Sequence, residues 1–301
     1  MAAERSTEAS LRGLTLRYAA HLGYRSVEEP LFRHAVGSAD PVQQAAFAAR
    51  RGFRGMQYAL ACSRPVDEQT AVAKALAQYG LETGCVLYAP FESIRTTTPG
   101  LPGEVHQRLF LDLIKRGLDV ALRVGSSHMV VLPALGAGCS AQGQRQYFAE
   151  RLQLAADLTR QAFVQIVLEP LRSAVLPPLL LTTLDEALSL IRTDPAAVRL
   201  AFDTGHVQLT EGNAAREFER VYEHVSILQL ADVPNRQQPG TGEVDFKRVI
   251  YHALRRGFAG LVELEHGWTA PGAEIEEAGI AEIRRVELDA AEIGVRGEES
   301  G

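Results

Sequence analysis

The 301-residue sequence predicts an α/β fold, a (β/α)8 TIM barrel in a single domain spanning 1–301, from three observations. Eight short apolar runs recur along the chain, and longer stretches of helical period separate them. A parallel ring needs this alternation, because parallel strands require crossover helices and eight such units close into a barrel that fills its own interior. No GxGxxG follows the first run to support the runner-up, a doubly wound open sheet, and no linker, second domain or low-complexity stretch interrupts the pattern.

In chain order the strands are read at residues 14–22 (LTLRYAAHL), 55–61 (GMQYALA), 82–88 (ETGCVLY), 128–134 (HMVVLPA), 165–171 (QIVLEPL), 198–204 (VRLAFDT), 225–233 (VSILQLADV) and 260–266 (GLVELEH). Each is short and rich in branched apolar residues, as strands buried on both faces are. Among the helices, DPVQQAAFAARRG and DEQTAVAKALAQYG open on Asp and end at Gly, the pattern of a capped helix, and QYFAERLQLAADLTRQ carries the same period. Residues 1–12 and 294–301 are polar and are expected to fray.

Composition narrows the function. A hydrophobic content of 46% supports a large core, and a formal net charge of −6 disfavours a dedicated nucleic-acid binder, which needs clustered Lys and Arg. Cys62, Cys85 and Cys139 are odd in number and widely spaced, which fits reduced thiols in a cytoplasmic protein. No signal-peptide core and no apolar run of about 18 residues occurs, so neither export nor a membrane partner is expected. A homo-oligomer is compatible with everything above.

In a barrel, chemistry belongs at the C-terminal ends of the strands. Glu169 comes late in the fifth run, Asp203 late in the sixth, Gln229 within the seventh and Glu265 late in the eighth. Along the seventh, Ile227, Gln229 and Ala231 share one face and Leu228 and Leu230 the other. The leucines suit the helix layer, so Gln229 points inward. Any one of these groups alone is an ordinary strand-end polar residue. Three carboxylates and an amide oxygen converging from four consecutive strands repel one another unless a cation lies among them, and hard oxygen donors favour Mn²⁺, Mg²⁺ or Co²⁺. Glu263 shares the inward face of Glu265. A second buried carboxylate needs a partner, and Arg17 on the adjacent first strand has the parity to supply it.

Residues 228–246, LQLADVPNRQQPGTGEVDF, resemble a pattern of the xylose isomerase-like TIM-barrel superfamily of sugar isomerases and epimerases: Gln, a small residue, Pro, Arg, then PG-x-GE and an aromatic. AFDTGH carries that superfamily's Asp-x-x-His, GLVELEH stands in place of its Gly-x-Glu-Tyr, and RYAAHL is similar to its opening strand. Within the superfamily the chain looks most like the hydroxypyruvate isomerase and 2-oxo-tetronate isomerase branch. The resemblance implies one divalent metal ion held by Glu169, Asp203, Gln229 and Glu265, with Glu169 and Glu265 also the opposed acid/base pair, and His206 and Arg236 on substrate oxygens. The chemistry agrees. A chelated 2-hydroxy carbonyl has an acidified C–H, and two flanking carboxylates can remove and return the proton through an enediolate. An Arg fork clamps a carboxylate bidentately, which suits a hydroxypyruvate-like or 2-oxo-tetronate-like acid better than a neutral sugar. The glycines of the loop that carries Arg236 would permit closure, and Glu243 is read as a helix-capping carboxylate.

Departures from the pattern bear on the substrate. Arg172 stands where relatives often carry Asn or Ser, His21 where they carry Asn, and Glu263 where they carry Gly; the fourth strand ends without a polar residue. A ketose 3-epimerase or a dehydratase of inosose or dehydroshikimate type therefore stays open on the same barrel, beside a non-catalytic sugar-binding protein. An apurinic endonuclease would need a His-rich multi-zinc cluster, which the eight scattered histidines do not assemble.

Overall fold

The computed structural model describes residues 9–171 and 176–298, so Arg172 lies outside the described residues. All eight apolar runs contain strand, and every pairing among them is parallel. They give nine strands: β1 Arg17–His21, β2 Gly55–Gln57, β3 Glu82–Thr83, β4 Val86–Leu87, β5 His128–Val131, β6 Gln165–Leu168, β7 Val198–Asp203, β8 Val225–Gln229 and β9 Leu261–Leu264. Their order in the sheet is β3-β2-β1-β9-β8-β7-β6-β5-β4. The two edges of that order are halves of one run, residues 82–87, so the sheet curls back on itself.

The split of the third run has a local cause. Between its halves the backbone N–H of Cys85 donates 2.8 Å to the Glu263 carboxylate, which reaches across from β9, instead of to a neighbouring strand. Gly84 makes room, since a Cβ there would collide with that same carboxylate. Ladder contacts continue on both sides of the break. Gly84 N–H donates 2.7 Å to Met56 O, Tyr88 N–H donates 3.0 Å to Val130 O, and Thr83 bridges Ser126.

The strands are shorter than their apolar runs. Ala59–Ser63 turns into a 3-10 helix instead of extending β2. The helix Pro41–Arg50 starts as expected, with Asp40 accepting from Val42 N–H. The next, Val66–Tyr79, is entered through Pro65 and not through Asp67, and ends at left-handed Gly80. Residues 9–12, expected to fray, are instead packed: Leu11 is buried and its N–H donates 2.8 Å to Arg51 O. At the other terminus the helix Ala273–Glu298 runs through residues 294–298. Both faces of the sheet are covered, leaving Met56, Val86, Ile166, Val167 and Leu200 with no exposed surface. Among the described residues no helix is long and apolar enough to cross a membrane, and Cys62, Cys85 and Cys139 are unbridged.

Candidate active site

The strand ends converge. Asp203 and Gln229 are the last residues of β7 and β8 and pair directly in the sheet, while Glu169 and Glu265 stand one residue beyond the ends of β6 and β9. A cavity of about 470 Å³ opens at this mouth, with Glu169, His206, Arg236 and Glu265 in its wall. Asp203 also caps the helix Thr204–Glu211, accepting 2.8 Å from His206 N–H. That cap seats His206 beside the carboxylates. Ligand atoms of Glu169, Asp203 and His206 all lie within 4.8 Å of one another.

Charge is unevenly met here. Burial, Glu265 and Asp203 together push the Glu169 carboxyl well above the usual carboxylate range. Its Oε1 is buried without a hydrogen-bond partner among the described residues, and His206 Nε2 stands 3.9 Å away. Burial, aided by Arg236, lowers His206 to about 4, so the imidazole is neutral near pH 7. For Asp203 burial acts upward, but the Arg236 guanidinium and His206 together outweigh it and hold the carboxyl below its ordinary value. Glu265 is pushed up to about 7 by burial, against the pull of Arg236.

Arg236 is committed to these carboxylates. Its Nη1 and Nη2 donate 2.9 and 2.7 Å to the two oxygens of Asp203, and Nη2 donates a further 3.0 Å to Glu265 Oε1. The clamp expected for a substrate carboxylate is therefore seated on Asp203, although Arg236 still lines the cavity.

Beneath lies a polar floor that sequence reasoning read only in part. Gln229 Nε2 donates 2.7 Å to Glu265 Oε2, and Gln57 Nε2 donates 2.5 Å to the same oxygen. Gln57 was missed. Its signal was the one that marked Gln229, a lone amide within an apolar run. Glu263, with no exposed surface, accepts from Cys85 N–H, Cys85 Sγ and Gln229 Nε2. The expected Glu263–Arg17 pair does not form. Arg17 lies at the opposite end of β1, bonds Glu82 and donates 2.8 Å to Ala259 O, while the in-register neighbour of Glu263 is Ala19. Parity put the two residues on compatible faces, but one full strand repeat separates their levels.

The loop after β8 is held by Asp232, which is 1% exposed. Its Oδ1 accepts from Val233 and Val244 N–H, and its Oδ2 from Gly240, Thr241 and Gly242 N–H. A Cβ at Gly242 would collide with Val233 O, so glycine there serves a close approach and not closure. Glu243, read as a cap, is exposed; the helix Phe246–Arg255 is capped by Asp245. The loop presents Arg236 from a fixed frame, with Gly267 N–H donating 2.8 Å to Arg236 O.

The donor set fits a divalent cation. Glu169 Oε1 and Gln229 Oε1 are both buried acceptors with no donor among the described residues. Asp203 and the neutral His206 bring ligand atoms within 4.8 Å of Glu169, a grouping that does not include Glu265, and among the described residues Arg236 is the guanidinium bonded to Asp203 and Glu265. A buried carboxylate left as Glu169 is raises its pKa or takes a cation.

Against known families, residues 16–286 match the model of the xylose isomerase-like TIM barrel. The chain belongs to that family. It is 25% identical over 228 residues to 2-oxo-tetronate isomerase of Haemophilus influenzae, covering 73% of this chain and 84% of that protein. It is also 25% identical over 222 residues to hydroxypyruvate isomerase of Escherichia coli K12, covering 71% and 83% respectively. Among solved structures, an AP endonuclease of family 2 from Brucella melitensis superposes with a TM-score of 0.74 at 22% identity, over 89% of this chain and 98% of that one, a likeness of fold.

Proposed function

We propose that this barrel is a divalent-metal-dependent isomerase of a small 2-hydroxy carbonyl acid, hydroxypyruvate-like or 2-oxo-tetronate-like, acting by proton transfer through an enediolate. The observation that carries the reading is Glu169, a buried carboxyl with one oxygen unpartnered among the described residues, in the wall of the same cavity as Glu265 and within ligand distance of Asp203 and His206. The names of the two isomerase relatives point the same way.

Glu169, Asp203, Gln229 and Glu265 are the residues we assign to one Mn²⁺ or Mg²⁺, with Co²⁺ compatible with the same donors. Such an ion supplies Lewis acidity, polarising the substrate's carbonyl and acidifying the neighbouring C–H. Glu169 and Glu265 extend from β6 and β9, three places apart in the ring order, and serve as the two proton carriers on either side of the planar enediolate. Gln57 and Gln229 donate to Glu265 Oε2 and leave Oε1 toward Arg236, which fixes the carboxyl's orientation. His206, neutral and facing the cavity, is assigned to a substrate oxygen. Arg236, with its fork seated on Asp203, is assigned to orienting that carboxylate and to a substrate oxygen from the cavity wall.

Turnover in heavy water tests the proton route. A carboxylic acid exchanges its proton with solvent between steps, so the product carbon should carry deuterium at early conversion. Product free of solvent deuterium contradicts the enediolate route.

A further inference from the structure

The cavity has two unlike halves. Its polar groups come from the loops after β1 and β8 and from the ends of β6, β7 and β9. The large apolar side chains of the lining are Leu87, Phe91, Leu132, Leu171, Leu176 and Leu209, supplied mainly by the segments that follow β4, β5 and β6. Leu87 closes β4, Leu132 directly follows β5, and Leu171 follows Glu169 by two residues. Among the described residues β4 and β5 thus meet the cavity in leucine, and β6 does so in Leu171 beyond Glu169, so this part of the lining offers a polyol few hydroxyl-binding side chains.

The energetics of that wall discriminate strongly. A hydroxyl pressed against leucine gives up water and gains no partner, at a cost of about 1–3 kcal/mol. A methylene in the same place gains about 0.8 kcal/mol. The cavity, near 470 Å³, sits within the range that takes a drug-sized ligand, which is larger than a three-carbon acid.

We infer that the substrate of this barrel carries an apolar substituent on the carbon chain beyond its hydroxy-carbonyl head, and that the leucine wall selects for it against a polyol tail. This rests on the isomerase reading above for the chemistry of the head, and adds the class of the tail.

The decisive comparison uses 3-hydroxy-2-oxo acids bearing either a hydroxymethyl or an ethyl group at C3, which are nearly the same size, with hydroxypyruvate and the methyl and propyl homologues alongside. The ethyl acid should exceed the hydroxymethyl acid in kcat/KM by at least about tenfold, with a gain of about three- to fourfold for each methylene from methyl to propyl. Leu132→Asn should reduce the ethyl preference, and Leu209→Gln, at a largely exposed position that tolerates a polar side chain, should reduce it without loss of fold. If the hydroxymethyl acid is turned over as well as or better than the ethyl acid, the apolar-tail inference falls and the isomerase reading stands. If no member of the series is turned over, the isomerase reading falls, and calorimetric binding of the same acids decides the tail: tighter binding of the ethyl acid supports the wall's role, equal or weaker binding overturns it.

Discussion

Asp232 and Glu169 are two buried carboxylates at the same end of the barrel, and they are treated in opposite ways. Asp232 is surrounded by five backbone N–H donors, all from its own loop. Glu169 is 5% exposed, yet its Oε1 meets no donor among the described residues, and its strongest charged neighbours are the like charges of Glu265 and Asp203. A buried carboxylate costs free energy unless donors or a cation answer it. Where the chain supplies the donors, the group organises backbone. Where the described residues supply none, the oxygen is open to the cation proposed above.

The contrast predicts that stability and activity separate between the two residues. Asp232→Ala strands five amides at once; some reach water, since Gly240, Thr241 and Gly242 are exposed, so the loss should be about 3–5 kcal/mol in chemical denaturation. A loss under about 1 kcal/mol would show that the loop does not depend on this carboxylate. Glu169→Gln should leave stability within about 1 kcal/mol of wild type, because Oε1 gives up no hydrogen bond, while turnover falls by at least about 10²-fold. Glu265→Gln should lower turnover on the same scale, and near-normal rates in either variant would remove that residue from the acid/base pair.

Glu263 sharpens the comparison from a third position. It is fully buried like Glu169 but hydrogen-bonded like Asp232. In Glu263→Gln the amide oxygen can still accept from Cys85 N–H, so the cost should be about 1 kcal/mol. A cost of about 3–5 kcal/mol, the signature of a broken buried ion pair, would revive the partnership with Arg17 that the structure does not contain.

Much of this was legible in the sequence, for identifiable reasons. Strand alternation put Gln229 inward, and the places of Glu169, Asp203 and Glu265 in their apolar runs put all three at one end. What alternation cannot give is the level along the barrel axis, and that is why Arg17 and Glu263 matched in parity but lie at different heights. The role of Asp232 was hidden because its partners are backbone amides up to twelve residues away, which no side-chain pattern encodes. Gln57 was hidden because its run looked longer than β2 is; once the strand stops at Gln57, the amide is seen to pair in register with His21 at the mouth of the barrel. The seat of Arg236 on Asp203 needed three dimensions, since the two are brought together only by the fold of the loop after β8.

The barrel mouth, where Glu169 Oε1 meets no donor among the described residues, is proposed as a cation site. Calorimetric titration of Mn²⁺ into chelator-treated protein tests it without reference to any substrate. Even outer-shell changes cost about 10–100-fold in metal affinity, so loss of a ligand should cost at least about 100-fold. The account predicts one ion per wild-type chain, a melting temperature that rises with bound ion, and that loss of affinity in Glu169→Gln. Absence of Mn²⁺ binding to the wild type, or equal binding by Glu169→Gln, would contradict it.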